Sequence, residues 1–364
     1  MAEHIYIAGA HSRAQTLGVY LRYLNPDVSI KAYLFDNDEK NVEVIDGIPV
    51  IRFDNNTSLH KSYPVYIGTR GIYHSSLSKK LKELGMQQIY PVTVELDLFL
   101  RNKYLRRYFS SRGRDFSKIE DFNGDNVLTH QDKIYSQACV YVAKSVYDKP
   151  LEQSCELNTY ESPIQVGAVL TSKRLSKRIL TDDLGENISA KNKQYCELTA
   201  LYWIWKNAKD EVVGLVHYRR HFLLPNSWLE SMITHEIDVI LPIPLYVAPS
   251  VAENYKSRHD PSDWDYMMQY VKLNHKDDYE EAKVFFEGNL YSPCNMFIMK
   301  KYVLDDLCNW LFPILDTVAA QGGQKEDSYL NRYPGFISER LITFFFEKYR
   351  RKYKVVYADK SFLP

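Results

Sequence analysis

Residues 194–222 read QYCELTALYWIWKNAKDEVVGLVHYRRHF. From Cys196 to Trp205 apolar side chains fall on nearly every helical face, the pattern of a helix packed on more than one side. Lys206 to Asp210 reads as a turn. Glu211-Val212-Val213-Gly214-Leu215-Val216 is a short apolar run rich in β-branched residues, as in a central parallel strand. His217, Tyr218, Arg219, Arg220 and His221 then crowd its carboxyl end. Ligands of open α/β sheets bind outside the carboxyl ends of the strands. Adjacent arginines at such a place suit an anion, because guanidinium groups grip phosphate oxygens in pairs.

The rest of the chain fits an α/β reading in two parts. Residues 1–100 are expected to form a Rossmann-like, nucleotide-binding-like domain. A strand at His4–Ala8 leads through Gly9-Ala10-His11-Ser12-Arg13 into a helix at Ala14–Leu24, and a second strand, Ile30–Phe35, ends at Asp36-Asn37-Asp38. The first turn, GAHSRAQTLG, lacks the second and third glycines of a dinucleotide fingerprint. That argues against NAD and for a structural or regulatory unit. Residues 101–133 read as a polar, basic linker, with Arg101, Lys103, Arg106, Arg107, Arg112, Arg114 and Lys118 among Tyr104, Tyr108 and Phe109. Such a mixture favours a membrane interface or a lipid-linked pyrophosphate. Residues 134–364 form the second domain. Strands are expected at Ala138–Ala143, Pro163–Ala168, Ile237–Pro242 and Asn295–Met299. Helices are expected at Tyr266–Phe286, Val303–Leu315 and Ile337–Tyr349.

Composition narrows the function. Lys plus Arg and Asp plus Glu number 46 each, which argues against a general nucleic-acid binder. The 29 tyrosines offer flat faces suited to sugars and bases. Cys139, Cys155, Cys196, Cys294 and Cys308 form no metal-ligand spacing, and reduced thiols point to the cytoplasm. No signal-peptide core or membrane-length apolar run is apparent, so contact with the inner face of the plasma membrane is expected to be peripheral.

Four ordered motifs, ISAKNKQYCELTALYWIWKN, VGLVHYRRHF, SPCNMFIMKKYVLDDLCNWLF and YPGFISERL, resemble a bacterial family defined by the domain of unknown function numbered 4422. The resemblance spans roughly Val140 to Pro364. It implies a glycosyltransferase domain of the GT-A type from capsule, exopolysaccharide or O-antigen gene clusters. The implied reaction moves a sugar, with galactose or galactofuranose as first choices, from a UDP-sugar to a polysaccharide or lipid-linked oligosaccharide.

GT-A enzymes usually hold Mn²⁺ or Mg²⁺ through a DxD motif. None follows the central strand here. Two readings stay open: Arg219 and Arg220 bind the diphosphate without metal, or His217 and a remote acid hold a metal. Asp182 and Asp183, in an acidic turn before the buried helix, form a rival metal site. Gln165, Gly167, His217, Tyr218, Arg219, Arg220 and Arg340 make up the expected donor-binding set. Glu339, read at the start of a helix, is the candidate catalytic base. Asn295 and Glu197 are the candidate acceptor contacts, with Glu197 equally suited to pairing with Arg219 or Arg220. A nucleotide-sugar-modifying enzyme would require NAD(P) binding. A non-catalytic subunit of a polysaccharide assembly complex would bind nucleotide without turnover.

Overall fold

The computed structural model describes residues 3–37, 40–54, 56–122, 137–152 and 156–363. Asp38, Cys155 and the expected domain start at Ile134 lie outside the described residues. The chain divides into two compact units, Met1–Phe116 and Ser117–Pro364.

The first unit runs β1 (Glu3–Ala8), α1 (Ser12–Leu24), β2 (Val28–Phe35), β3 (Val44–Ile45), β4 (Ile48–Arg52), β5 (Val65–Ile67), α2 (His74–Glu83), β6 (Ile89–Pro91) and α3 (Val94–Ser110). Its sheet has the order β3-β4-β2-β1-β5-β6. Every pair is parallel except β3 with β4, and the strand order reverses at β1 as in a Rossmann-like unit. Asp36, where a ribose-binding acid would stand, is paired with Lys80. The basic stretch is not an irregular linker over its first half. Thr93 caps α3, its hydroxyl accepting from Leu96 N. Leu100, Tyr104, Leu105 and Phe109 recur on one face of α3 and are buried. Tyr104 packs on Tyr20 and Tyr23 of α1, and Arg107 donates to Leu24 O at 2.9 Å.

The second unit continues with β7 (Ala138–Lys144), β8 (Glu161–Gln165), β9 (Leu180–Thr181), α4 (Asn192–Tyr195), α5 (Leu198–Asn207), β10 (Val212–His217), β11 (Phe222–Leu223), α6 (Trp228–Thr234), β12 (Val239–Pro242) and β13 (Leu245–Tyr246). There follow α7 (Val251–Lys256), α8 (Pro261–Asn274), α9 (Lys276–Phe286), β14 (Leu290–Tyr291), β15 (Phe297–Lys300), α10 (Lys301–Gly322), α11 (Tyr333–Lys348) and β16 (Val355–Lys360). The main sheet has the order β11-β16-β12-β15-β10-β7-β8-β9. β10 lies parallel to β7 and antiparallel to β15. The carboxyl end of β10 therefore meets the start of β15. Val140, Val216, Ile240, Ile298 and Val356 fill the core with Trp228 and Met232 of α6. A Cβ on Gly214 would stand 2.9 Å from Phe297 O, so only glycine lets β15 approach there.

Several elements of the second unit differ from the sequence expectation. The Tyr266–Phe286 helix is two helices, broken at His275. α10 runs through Pro313 to Gly322, well past Leu315. β8 ends at Gln165, because Gly167 takes a left-handed φ of +64° and turns the chain.

Candidate functional site

The buried helix of the opening motif is interrupted. α4 stops at Cys196, whose φ is +50°, and Asn192 Nδ2 secures the break by donating to Cys196 O at 2.8 Å. Glu197 then sits just before α5, at the carboxyl end of β10. Its Oε1 accepts from Asn295 Nδ2 at 2.8 Å and lies 3.9 Å from His217 Nε2.

Asn295 owes its position to a second unusual turn. Cys294 and Asn295 have φ of +79° and +48°, a region that costs an ordinary L-residue energy but that asparagine tolerates. Strain of this kind persists where the surroundings over-determine it, and they do so here. Cys294 N donates to Glu339 Oε1 at 2.7 Å. Asn295 Nδ2 donates to Gly335 O at 3.0 Å as well as to Glu197. The Oδ1 atom of Asn295 is buried without a partner.

His217 closes the cluster. Its Nε2 donates to Cys294 O at 2.6 Å, which puts the proton of the neutral ring on Nε2. Burial lowers its pKa and the charges of Arg220 and Arg332 lower it further, against Glu197 and the Cys294 carbonyl. Glu339 is pushed up by burial and by Glu197, while Arg340, the Cys294 amide and Arg220 oppose the rise.

Glu339 does not start its helix. α11 begins at Tyr333 with Pro334 in its first turn, where proline's fixed φ is favourable, and Glu339 falls in the second turn. Its Oε2 accepts from Arg340 Nη1 at 3.0 Å. Arg340 is buried, donates to Phe336 O, and lies over the Tyr291 ring. It braces Glu339 from the helical side of the unit.

The two arginines of the opening motif part company. Arg220 keeps its charge near His217, Glu339 and Cys294, with its guanidinium over the Phe362 ring. Arg219 donates to Pro150 O at 3.1 Å and braces the loop after β7, where Asp148 lies in its field. The turn is tight: Arg220 N donates to His217 O at 2.9 Å, and Tyr218 N to Ala143 O at 3.1 Å. Arg219 and Arg220 thus have different partners. His221 is paired with Glu161 at 2.8 Å.

The acidic turn does not fit a metal. Asp182 is wholly buried and accepts from Gly167 N, Ala168 N, Ser189 Oγ and Thr199 Oγ1 at 2.6–3.0 Å. These donors occupy its oxygens and would face a cation with their hydrogens. Asp183 pairs with Arg174. Gln165 spends its amide on the 173–175 loop, donating to Lys173 O and accepting from Leu175 N. A Cβ on Gly167 would collide with Asn192. Gln165, Gly167 and Asp182 thus form the scaffold behind α4. Among the described residues, no group of His, Cys, Asp and Glu is arranged to hold a metal.

Sequence reasoning missed Arg332. It precedes α11, donates from Nε to Cys196 Sγ at 2.9 Å, and its charge reaches His217 and interacts with Glu197. The available signal was a cation directly before the YPGF helix start. Glu197, His217, Arg220, Asn295, Arg332 and Glu339 thus converge at the carboxyl end of β10, brought there by the α4–α5 break, β10, the turn before β15, and α11.

The family model described as "Domain of unknown function (DUF4422)" matches residues 149–351, more than half of the chain. Among solved structures, the chain is similar to the apo structure of the bifunctional glycosyltransferase WbbM. The identity is 26% and the TM-score 0.54, over 62% of this chain and 45% of that one. The chain thus spans less than half the length of that relative. The mannosyltransferase Ktr4p from S. cerevisiae matches with 10% identity and a TM-score of 0.36, over 74% of this chain and 80% of its own. That likeness is too distant to inform the site. No curated protein matches the chain.

Proposed function

The chain belongs to the DUF4422 family, and from that premise we propose that it is a glycosyltransferase that moves a sugar from a nucleotide-sugar donor to a carbohydrate acceptor. The observation that carries the reading is the pairing of opposite charges at one strand end. Arg220 and Arg332 stand beside the carboxylates Glu197 and Glu339 around a neutral, partly buried His217. Glycosyl transfer asks for this combination: positive charge where the diphosphate leaves, and carboxylates where sugar hydroxyls are held and deprotonated. Likeness to a glycosyltransferase structure supports it.

The donor is proposed to be a UDP-sugar, with galactose or galactofuranose as the sugar. The acceptor is proposed to be a growing polysaccharide or lipid-linked oligosaccharide of capsule, exopolysaccharide or O-antigen synthesis. No helix among the described residues is long and apolar enough to cross a membrane. The exposed cations Lys103, Arg106 and Arg107 of α3 supply a surface suited to peripheral contact with anionic lipid.

The test uses the purified full chain. Melting is followed against UDP, GDP and their sugars, with and without Mn²⁺ and Mg²⁺, because a bound ligand stabilises the fold by mass action. Nucleotide release is then measured with and without oligosaccharide acceptors. The reading predicts stabilisation by a UDP-sugar and acceptor-dependent release of UDP. Neither stabilisation nor turnover with any nucleotide sugar would end it.

A further inference from the structure

The two carboxylates of the site are not equivalent, and their hydrogen bonds tell them apart. Glu339 uses both oxygens: Oε1 takes the Cys294 amide at 2.7 Å and Oε2 takes Arg340 at 3.0 Å. Its partners are structural. One is the backbone of a strained turn, and the other is a buried arginine fixed by Phe336 O and Tyr291. Removing either acceptor would leave a buried donor unpaired. The adjoining Arg340 charge offsets part of the rise that burial gives the Glu339 pKa.

Glu197 is held by one oxygen only. Oε1 receives Asn295 Nδ2 at 2.8 Å. Oε2 receives no donor among the described residues, and it is not among the buried atoms that lack a partner, so it is open to solvent. The carboxylate is therefore aimed by a fixed amide and free at its other end, as a group that must meet a substrate requires. The backbone beneath it is also unusual, since Cys196 before it has φ +50° and ψ −127°. Regular helix geometry has been given up at the residue that sets the direction of Glu197.

We propose that Glu197 is the carboxylate that deprotonates the acceptor, and that Glu339 is a positioning residue acting through the Cys294–Asn295 turn. The inference rests on the glycosyl-transfer reading. The acceptor O–H bond breaks and its proton passes to Glu197 Oε2. The acceptor oxygen forms a bond to the anomeric carbon as the bond from that carbon to the diphosphate oxygen breaks. The bonding pair leaves with the nucleoside diphosphate, and Glu197 later returns the proton to water. One displacement of this kind inverts the anomeric configuration.

Glu197→Gln keeps the Asn295 hydrogen bond and removes the basicity. It should lower kcat for transfer by about 10²–10⁴-fold, with the donor KM within about threefold of wild type. Glu339→Gln keeps an acceptor for the Cys294 amide. It should raise the acceptor KM while kcat stays within about tenfold of wild type. Glu197→Asp, whose carboxylate is drawn back by one methylene, should fall between wild type and Glu197→Gln. Thermal melting of each variant confirms that it is folded. Near-normal kcat in folded Glu197→Gln would overturn the proposal. So would a folded Glu339→Gln at least as slow as Glu197→Gln, or a product of retained configuration. If Glu197→Gln does not fold, full activity in Glu197→Asp overturns it instead. A wild-type protein that turns over no nucleotide sugar defeats the functional reading itself, an outcome distinct from active wild type with indifferent Glu197 variants.

Discussion

Glu197 accepts a 2.8 Å hydrogen bond at Oε1 from the side-chain amide of Asn295, 98 residues further along the chain. Each residue sits at a backbone irregularity: Glu197 follows the left-handed Cys196, and Asn295 is itself at φ +48°. The bond ties the helix break to the turn before β15, and through Gly335 O to the first turns of α11.

Asn295→Ala should cost about 2–3 kcal/mol of stability, since it removes two hydrogen bonds, one of them to a carboxylate, and replaces asparagine, which tolerates the left-handed region, with alanine, which does not. Asn295→Gly loses the same bonds but tolerates the backbone. It should be the more stable of the two by about 1 kcal/mol. Urea unfolding of both variants checks the order. Equal stability would show that the turn is not held at positive φ.

The separation of the arginines predicts unequal effects on the donor. Arg220→Ala should weaken UDP binding by about 1.5–3 kcal/mol, the scale of charged hydrogen bonds. Arg219→Ala, which loses a brace to Pro150 O, should change UDP affinity less and loosen the loop after β7. Calorimetric titration with UDP decides the matter, and equal losses would restore the paired clamp.

Asp182→Asn should destabilise the second unit by about 2–4 kcal/mol. An amide cannot accept from all of the donors that now converge on the carboxylate, and buried donors left unpaired carry a full desolvation cost. A metal-site role predicts the contrary pattern, with stability kept and metal dependence lost. Denaturation and a metal titration of the transfer reaction separate the two.

His259 should make the protein acid-sensitive. Its ring lies between Phe336 and Tyr255. Burial, then Arg340, Arg258 and Lys325, push its pKa down to about 4. The unfolded chain titrates near 6.5 and so binds the proton better. The stability contributed by the neutral ring is present above about pH 6.5 and is lost as the pH falls toward 4. Urea unfolding at pH 7 and pH 4.5 should show a smaller pH penalty for His259→Phe than for wild type.

A fragment starting at Ser117 should fold by itself, whereas one starting at Ile134 should be markedly less stable. The short helix Ile119–Phe122 places Ile119 in the sheet core. Lys118 bridges Glu120 and Asp359 of β16, and Ser117 O accepts from Tyr357 N at 2.9 Å. Circular dichroism melts of the two fragments test this. Equal melting temperatures would place the boundary after these contacts.

The sequence by itself determined the α/β class, the central strand Val212–His217, the cationic strand end, and the four motifs that carry the family. These are local properties: apolar runs, β-branched residues and turn chemistry act over a few neighbours, so a linear reading recovers them. Even there, the Arg101–Ser110 part of the Val94–Ser110 helix passed for a linker, because its apolar residues lie at helical spacing among cations that conceal the pattern. β16 also escaped, a short strand hidden in a basic stretch. Tertiary structure alone decided which carboxylate is free. Nothing near Asp182 in the chain announces four converging donors, and nothing near Glu339 shows that Cys294 and Arg340 claim both its oxygens. Hydrogen bonding is a matter of which distant groups arrive at one point. The left-handed turns at Cys196 and at Cys294–Asn295 carry no glycine to mark them, since packing from three other segments holds them there against their local preference.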